Sequence, residues 1–255
     1  MKILIGNTGL VGQVLKDKIQ FDYEFNSKNL NRENFDKIEE GCDLYLSCLP
    51  ATKWMVNKDV VGDIENIMKI YDIIKAKEYR KIVLISTIDV YVDSPLRSDE
   101  DFAPTFRTLN YGSNRYFFEM LVNEMNCTDI QIYRLPALFC NRIKKNILFD
   151  LLHNNNVDKI NPNTEFQWYN LDRLVEDISN LDKPGTWNLF PEPIHTKEIL
   201  EIFNMNEDQF ESPGNSLTYN YNTKYSETGY TQSKAEVLEE LIRFVNEFRN
   251  NTTSI

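Results

Sequence analysis

Three glycines stand three residues apart near the start of the sequence, in Gly6-Asn7-Thr8-Gly9-Leu10-Val11-Gly12. An apolar run, Ile3-Leu4-Ile5, precedes them, and Val11 to Ile19 follows with helical apolar spacing. Glycines between a strand and a helix make the turn tight, let a ligand pyrophosphate approach the backbone, and seat the helix close to the strand. The helix N-terminus then presents free N–H groups and the positive end of its dipole to the phosphates. The spacing is Gly-x-x-Gly-x-x-Gly, not Gly-x-Gly-x-x-Gly. Its place directly after the first strand, more than the pattern itself, marks a dinucleotide site. Gly6, Thr8, Gly9, Leu10, Val11 and Gly12 are the expected cradle.

Such a turn needs a sheet to hold it. Strand-like runs fall at 22–25, 43–49, 81–86 and 130–135, the second ended by Pro50 and the last by Pro136. Helix-like segments alternate with them. Phe35 to Glu40 is short, and Val60 to Lys77 carries the stripe Val61, Ile64, Ile67, Met68, Tyr71 and Ile74. Asn114 to Glu124 has a bulky apolar face. Alternation of this kind predicts an α/β fold with a parallel sheet covered on both faces. The pattern loosens after Cys140. Residues 157–163 and 185–193 read as loops, and 171–181 and 196–203 as short helices, the second capped by Thr196. Ser233 and Glu236 form a capping box before a clear last helix, with a frayed tail expected over 250–255.

Composition narrows the partners. A hydrophobic share of 42% supplies a core and argues against disorder. With 28 basic against 39 acidic residues the formal charge is −11, which disfavours nucleic acid or an anionic membrane as partner. No apolar run is long enough for a membrane span, and Met1-Lys2-Ile3 runs straight into the first strand, so no leader is expected. Cys42, Cys48, Cys127 and Cys140 form no Cys-x-x-Cys pair and lie in or beside apolar runs, the pattern of free thiols in a reducing cytoplasm. His153 and His195 lie far apart, and no metal site is expected.

Further motifs follow in a fixed order: Ile85-Ser86-Thr87-Ile88-Asp89-Val90-Tyr91, Glu100-Asp101-Phe102-Ala103-Pro104, Tyr111-Gly112-Ser113-Asn114-Arg115 with Glu119, and Arg134-Leu135-Pro136-Ala137-Leu138-Phe139. With the opening turn, this set resembles the extended short-chain dehydrogenase/reductases, the NAD-dependent epimerase/dehydratase family, and within it the dTDP-4-dehydrorhamnose reductases. The resemblance implies a Rossmann-type doubly wound sheet over residues 1–140 and a small substrate lobe over 141–255. It implies an NAD(P) cofactor, a nucleotide-sugar substrate and possible pairing of two copies through the helices at 60–77 and 114–124. Thr87 matches the catalytic Ser/Thr, Tyr111 the catalytic tyrosine, and Arg115 stands where the family has lysine. Leu135 and Pro136 match the stretch beside the nicotinamide carboxamide, and Leu49, Pro50 and Ala51 line the cofactor cleft.

The chemistry suits these roles. Hydride transfer to a ketone creates alkoxide charge that a tyrosine can protonate, although an unperturbed tyrosine pKa of about 10 is high for exchange near neutrality. A cation at i+4 lowers it and can bond ribose hydroxyls, and the threonine hydroxyl donates to the same carbonyl oxygen. Arg115 keeps the charge but cannot release a proton, which raises a second expectation: a weakly active or inactive cofactor-binding regulator or scaffold. Ile88 cannot protonate a leaving hydroxyl, so a reductase or epimerase is expected over a dehydratase. No acid is read at the end of the second strand to hold an adenosine ribose. Asn26, Ser27 and Lys28 stand there instead and lean the reading toward NADP over NAD. Weaker candidates are the basic Arg142, Lys144 and Lys145, the aromatic run Phe166-Gln167-Trp168-Tyr169, and His195.

Overall fold

The computed structural model describes residues 1–206, 210 and 216–252. Its strands are Lys2–Ile5 (β1), Tyr23–Phe25 (β2), Cys42–Leu46 (β3), Tyr79–Thr87 (β4), Ile130–Leu135 (β5), Ala137–Phe139 (β6), Glu165–Phe166 (β7), Trp168–Asn170 (β8), Gly185–Asn188 (β9) and Ile194–His195 (β10). The helices are Leu10–Lys18 (α1), Arg32–Phe35 (α2), Lys53–Val56 (α3), Val60–Ile74 (α4), Tyr111–Asn123 (α5), Ile147–His153 (α6), Leu174–Asn180 (α7), Thr196–Ile202 (α8) and Lys234–Thr252 (α9).

The chain divides into two compact units. The first comprises Met1–Pro95, Glu100–Leu135 and Arg173–Asn188. It holds a six-stranded parallel sheet in the order β2-β1-β3-β4-β5-β9, a Rossmann-type α/β fold. Strand order reverses between β1 and β3, and in such sheets ligands settle outside the carboxyl ends of the strands at that crevice. The glycine turn lies there, directly after β1. Ile3, Ile5, Leu44, Leu46, Ile82, Leu84 and Ile132 cover one face of the sheet against Ile67, Ile70 and Ile74 of α4 and Phe118 and Val122 of α5. Burying an aliphatic side chain of this size contributes roughly 1.5–3 kcal/mol, so this face fixes where the ends of α4 and α5 lie.

The second unit comprises Leu96–Asp99, Pro136–Asp172 and Leu189 onward. It contains two small sheets, the parallel pair β6-β8 and the antiparallel pair β7-β10. The Ser233–Glu236 box opens α9: the Ser233 N–H donates to the Glu236 carboxylate and the Glu236 N–H to the Ser233 hydroxyl.

Several elements differ from the sequence expectations. Gly185–Asn188 is a strand, not a loop. Its four residues carry no apolar run, and it takes its place by pairing with β5. α5 begins at Tyr111, three residues early, because Asn110 and Ser113 cap each other there. α4 buries Asp63, Ile67, Ile70 and Ile74, while Val61 from the expected stripe is exposed. α8 is capped at His195, and the Thr196 hydroxyl instead meets that of Thr164 at 2.6 Å. The tail is helical through Thr252, and 253–255 lie outside the described residues.

Candidate functional site

At the end of β1, Gly6 takes φ +103°, a region that favours glycine. Its N–H and that of Asn7 both donate to the Phe25 carbonyl, at 2.8 and 3.2 Å, and the Gly9 N–H closes the turn on the Gly6 carbonyl at 3.1 Å. A Cβ on Gly6 would lie 2.3 Å from the Ser47 carbonyl oxygen, and one on Gly12 2.1 Å from the Gly6 oxygen. These two glycines are required by the protein's own packing.

Gly9 is different. A Cβ there would meet nothing closer than 3.5 Å, and its backbone (φ −74°, ψ 163°) suits any residue. The missing side chain leaves room at the N-terminus of α1, where no side chain caps the first turn. Thr8 and Gly9 are exposed there, and the buried Ser47 hydroxyl beside the turn has no hydrogen-bond partner among the described residues. Uncapped N–H groups, an open approach and an unsatisfied hydroxyl fit a dinucleotide pyrophosphate.

The loop after β2 reaches this turn. Asn26 donates to the Asn7 side-chain carbonyl at 3.3 Å and accepts from the Lys28 N–H, while Ser27 and Lys28 are exposed. Asn7 in turn donates to the Glu24 carboxylate at 2.9 Å, and Lys16 of α1 lies 2.5 Å from the same group. Burial pushes the Glu24 pKa up, but hydrogen bonds from Lys16 and Asn7 outweigh it and hold the carboxyl below its usual range. An acid therefore does stand beside the turn. It was missed because Glu24 is the middle residue of a three-residue strand, not its last.

The second cluster forms where α5 meets the ends of β3 and β4. A Cβ on Gly112 would lie 2.0 Å from the Asp89 carbonyl oxygen, so α5 rests directly on the 3-10 turn Ile88–Tyr91. That contact brings Tyr111 beside the end of β4. Thr87, the last residue of β4, accepts from the Asp89 N–H at 3.2 Å and is paired in register with Leu135. The Tyr111 N–H donates to Asn57 at 2.7 Å. Pro136 belongs to the second unit.

Arg115 is buried and held from three sides. Its Nη1 donates to Asp63 at 2.7 Å, and its Nη2 donates to Asp63 at 3.2 Å and to the Pro50 carbonyl at 2.7 Å. The guanidinium lies 4.4 Å from the Tyr111 ring centroid. Asn114 completes the Asp63 shell at 2.8 Å. Burial raises the Tyr111 pKa, Arg115 opposes this, and Asp89 and Asp63 add to it, with a net rise. Next to the phenol, Lys53 of α3 lies 2.5 Å from the Asp89 carboxylate. Beneath this layer Glu119 accepts from Ser86 and pairs with Arg134, which donates to the Tyr91 hydroxyl.

No protein-family model matches the sequence, and no curated protein matches it either. Solved structures do. UDP-glucose 4-epimerase from Thermotoga maritima, solved with UDP-glucose, has a TM-score of 0.74 at 15% identity, over 99% of this chain and 100% of that one. UDP-glucuronic acid 4-epimerase from Bacillus cereus, in complex with NAD and a fluorinated UDP-glucuronic acid, has 0.71 at 15%, over 97% and 99%. dTDP-4-dehydrorhamnose reductase from Bacillus anthracis, in complex with NADP, has 0.69 at 17%, over 96% and 98%. The chain has their fold.

Within that fold, sequence reasoning missed Asp63, Lys53, Asn57 and Glu24. Asp63 carried a readable signal: an acid at the position that continues the buried Ile67, Ile70 and Ile74 face needs a buried cation. Lys53 and Asn57 carried none, because their partners are distant in sequence. Among the weaker candidates, Gln167, Trp168 and Tyr169 are buried, Arg142, Lys144 and Lys145 are exposed, and His195 lies 3.4 Å from Glu165. Among the described residues no helix is long and apolar enough to cross a membrane, and no His/Cys/Asp/Glu group could hold a metal.

Two outcomes follow from this geometry. Gly12→Ala loses about 1–3 kcal/mol by overpacking, whereas Gly9→Ala loses under about 1 kcal/mol, the cost of a poorer N-cap; urea melts of both variants measure the contrast. Tyr111 has a folded pKa above its unfolded value, so its contribution is intact below about pH 10 and is lost as pH rises through the folded pKa. Between pH 9 and 11 the Tm of the wild type therefore falls more steeply than that of Tyr111→Phe.

Proposed function

We propose that the protein is an NAD(P)-dependent oxidoreductase or epimerase acting on a nucleotide-activated sugar, with reduction of a keto sugar as the favoured direction. One observation carries the reading: an open glycine turn and a buried phenol flanked by threonine and guanidinium stand at the carboxyl edge of one parallel sheet. A nicotinamide dinucleotide supplies hydride when bound. Gly6, Thr8, Gly9, Leu10, Val11 and Gly12 would hold its pyrophosphate. Leu49, Pro50, Ala51, Leu135 and Pro136 would line the rest of its cleft, with Asn26, Ser27 and Lys28 at the adenosine end. Thr87 orients the substrate carbonyl, and Tyr111 delivers a proton to its oxygen.

The electrostatics favour reduction. A phenol whose pKa is raised stays protonated at neutral pH and is ready to donate. Oxidation would need the tyrosinate, which this environment disfavours. Substrate class is supported by the UDP-glucose and UDP-glucuronic acid analogue printed for the structural neighbours.

Cofactor choice follows from Glu24. A carboxylate tied to Asn7 of the turn repels a 2′-phosphate, and this weighs toward NAD against the pull of Ser27 and Lys28 toward NADP. A second reading, a cofactor-binding regulator with little turnover, is favoured by the engagement of Arg115 with Asp63 and Pro50. Pairing of two copies through α4 and α5, which carry the exposed Val61 and Met120, is testable by light scattering.

NADH and NADPH titrations followed by nicotinamide fluorescence, with turnover assays on dTDP- and UDP-linked keto sugars, test the reading. Tyr111→Phe is expected to lose about 100-fold or more in kcat with dinucleotide affinity intact. Binding of neither dinucleotide defeats the proposal, and tight binding with no turnover on any keto sugar selects the regulator. NADH is expected to bind more tightly than NADPH, and Glu24→Gln to narrow the gap by about tenfold. Equal narrowing by Lys28→Gln would transfer the role to the loop after β2.

A further inference from the structure

We propose that Lys53 is the titratable cation of the phenol site, doing two jobs that Arg115 is placed too rigidly to do: returning a proton to Tyr111 and bonding the ribose hydroxyls of the dinucleotide. The inference rests on the proposed dinucleotide chemistry and adds a residue to it. Its starting point is what Arg115 already does. Both terminal nitrogens of its guanidinium donate to Asp63, and one also donates to the Pro50 carbonyl. Its charge sits over the Tyr111 ring. A guanidinium does not release a proton at any working pH, so Arg115 acts on the phenol as a fixed charge.

Lys53 differs in each respect. It opens α3, three residues beyond Pro50, and its ammonium lies 2.5 Å from the Asp89 carboxylate. Asp89 follows Thr87 by two residues, its carbonyl oxygen lies under Gly112, and its charge acts on Tyr111. The pair therefore bridges the loop after β3 and the loop after β4, beside the phenol. The Lys53 side chain is 41% exposed against 15% for Asp89, so the ammonium is open to ligand and solvent while its partner is not. The charged groups acting on the phenol are Arg115 and Asp63, which hold each other, and Asp89, which Lys53 holds.

The proton steps balance. Hydride from the reduced dinucleotide adds to the keto carbon, and the resulting alkoxide oxygen takes the Tyr111 proton. The phenolate takes a proton from the Lys53 ammonium, and the Lys53 amine is reprotonated by water.

The test uses wild type, Lys53→Met, Lys53→Arg and Lys58→Met, the last a control that also removes one positive charge. NADH affinity is measured by fluorescence titration, Tm by calorimetry, and reduction of a dTDP-linked 4-keto sugar from pH 6 to 9.5. Lys53→Met is expected to bind NADH about tenfold more weakly, the loss of one charge-assisted hydrogen bond. Lys53→Arg is expected to keep affinity and Tm but to lose turnover at least tenfold and change the alkaline limb of the pH profile. Lys58→Met is expected to match the wild type. Unchanged NADH affinity in Lys53→Met, or wild-type turnover in Lys53→Arg, overturns the assignment while leaving the dinucleotide reading standing. Failure of the wild type to bind NADH or NADPH overturns both.

Discussion

A carboxylate on the buried face of α4 has to be met by a cation, and Arg115 of α5 meets it. Both side chains are almost wholly removed from water, 5% and 4% exposed. Removing one member of such a pair strands the other and costs about 3–5 kcal/mol, a large part of a typical domain's total stability. The pair therefore sets where α5 lies along α4. The Pro50 carbonyl on the second terminal nitrogen adds the loop after β3 to the same node. With Gly112 letting α5 rest on the turn after β4, three chain segments converge on Tyr111. The phenol is placed by its supports, and its own contacts add little.

The glycines divide by the origin of their constraint. At Gly6, Gly12 and Gly112 an added methyl would collide with backbone oxygens of the protein itself, so these positions belong to folding. Gly9 has no such neighbour. A single motif thus mixes residues that shape the turn with one that leaves it open. Sequence alone cannot separate the two kinds, because both are read as glycine at a turn.

Much of the first unit was legible because its signals are local. The apolar runs at β1, β3, β4 and β5 and the long stripe of α4 announce a parallel sheet, and the turn follows from glycine spacing. β9 was not legible. Gly185-Thr186-Trp187-Asn188 becomes a strand through its partner β5, and no apolar periodicity marks it. The site split the same way. Tyr111, Thr87 and Arg115 came from an ordered motif set. Asp63, Lys53 and Glu24 came only with the fold, since a buried ion pair is a relation between segments, and one sequence shows its halves without their proximity. The charge count of −11 hid them further, because paired charges cancel inside it.

That cancellation has a consequence for the chemistry. The carboxyl edge of the sheet carries three cation–carboxylate pairs, Lys16–Glu24, Arg115–Asp63 and Lys53–Asp89. Each is close to neutral as a unit, so none attracts a phosphate strongly from a distance. The attraction left for an anionic ligand comes from the N–H groups of the turn and the first turn of α1, which do not titrate. Phosphate binding and proton handling are thus assigned to different kinds of group. Side-chain pairs can shift protons near the phenol without changing the grip of the backbone on the phosphates. A single lysine serving both ends could not keep them apart.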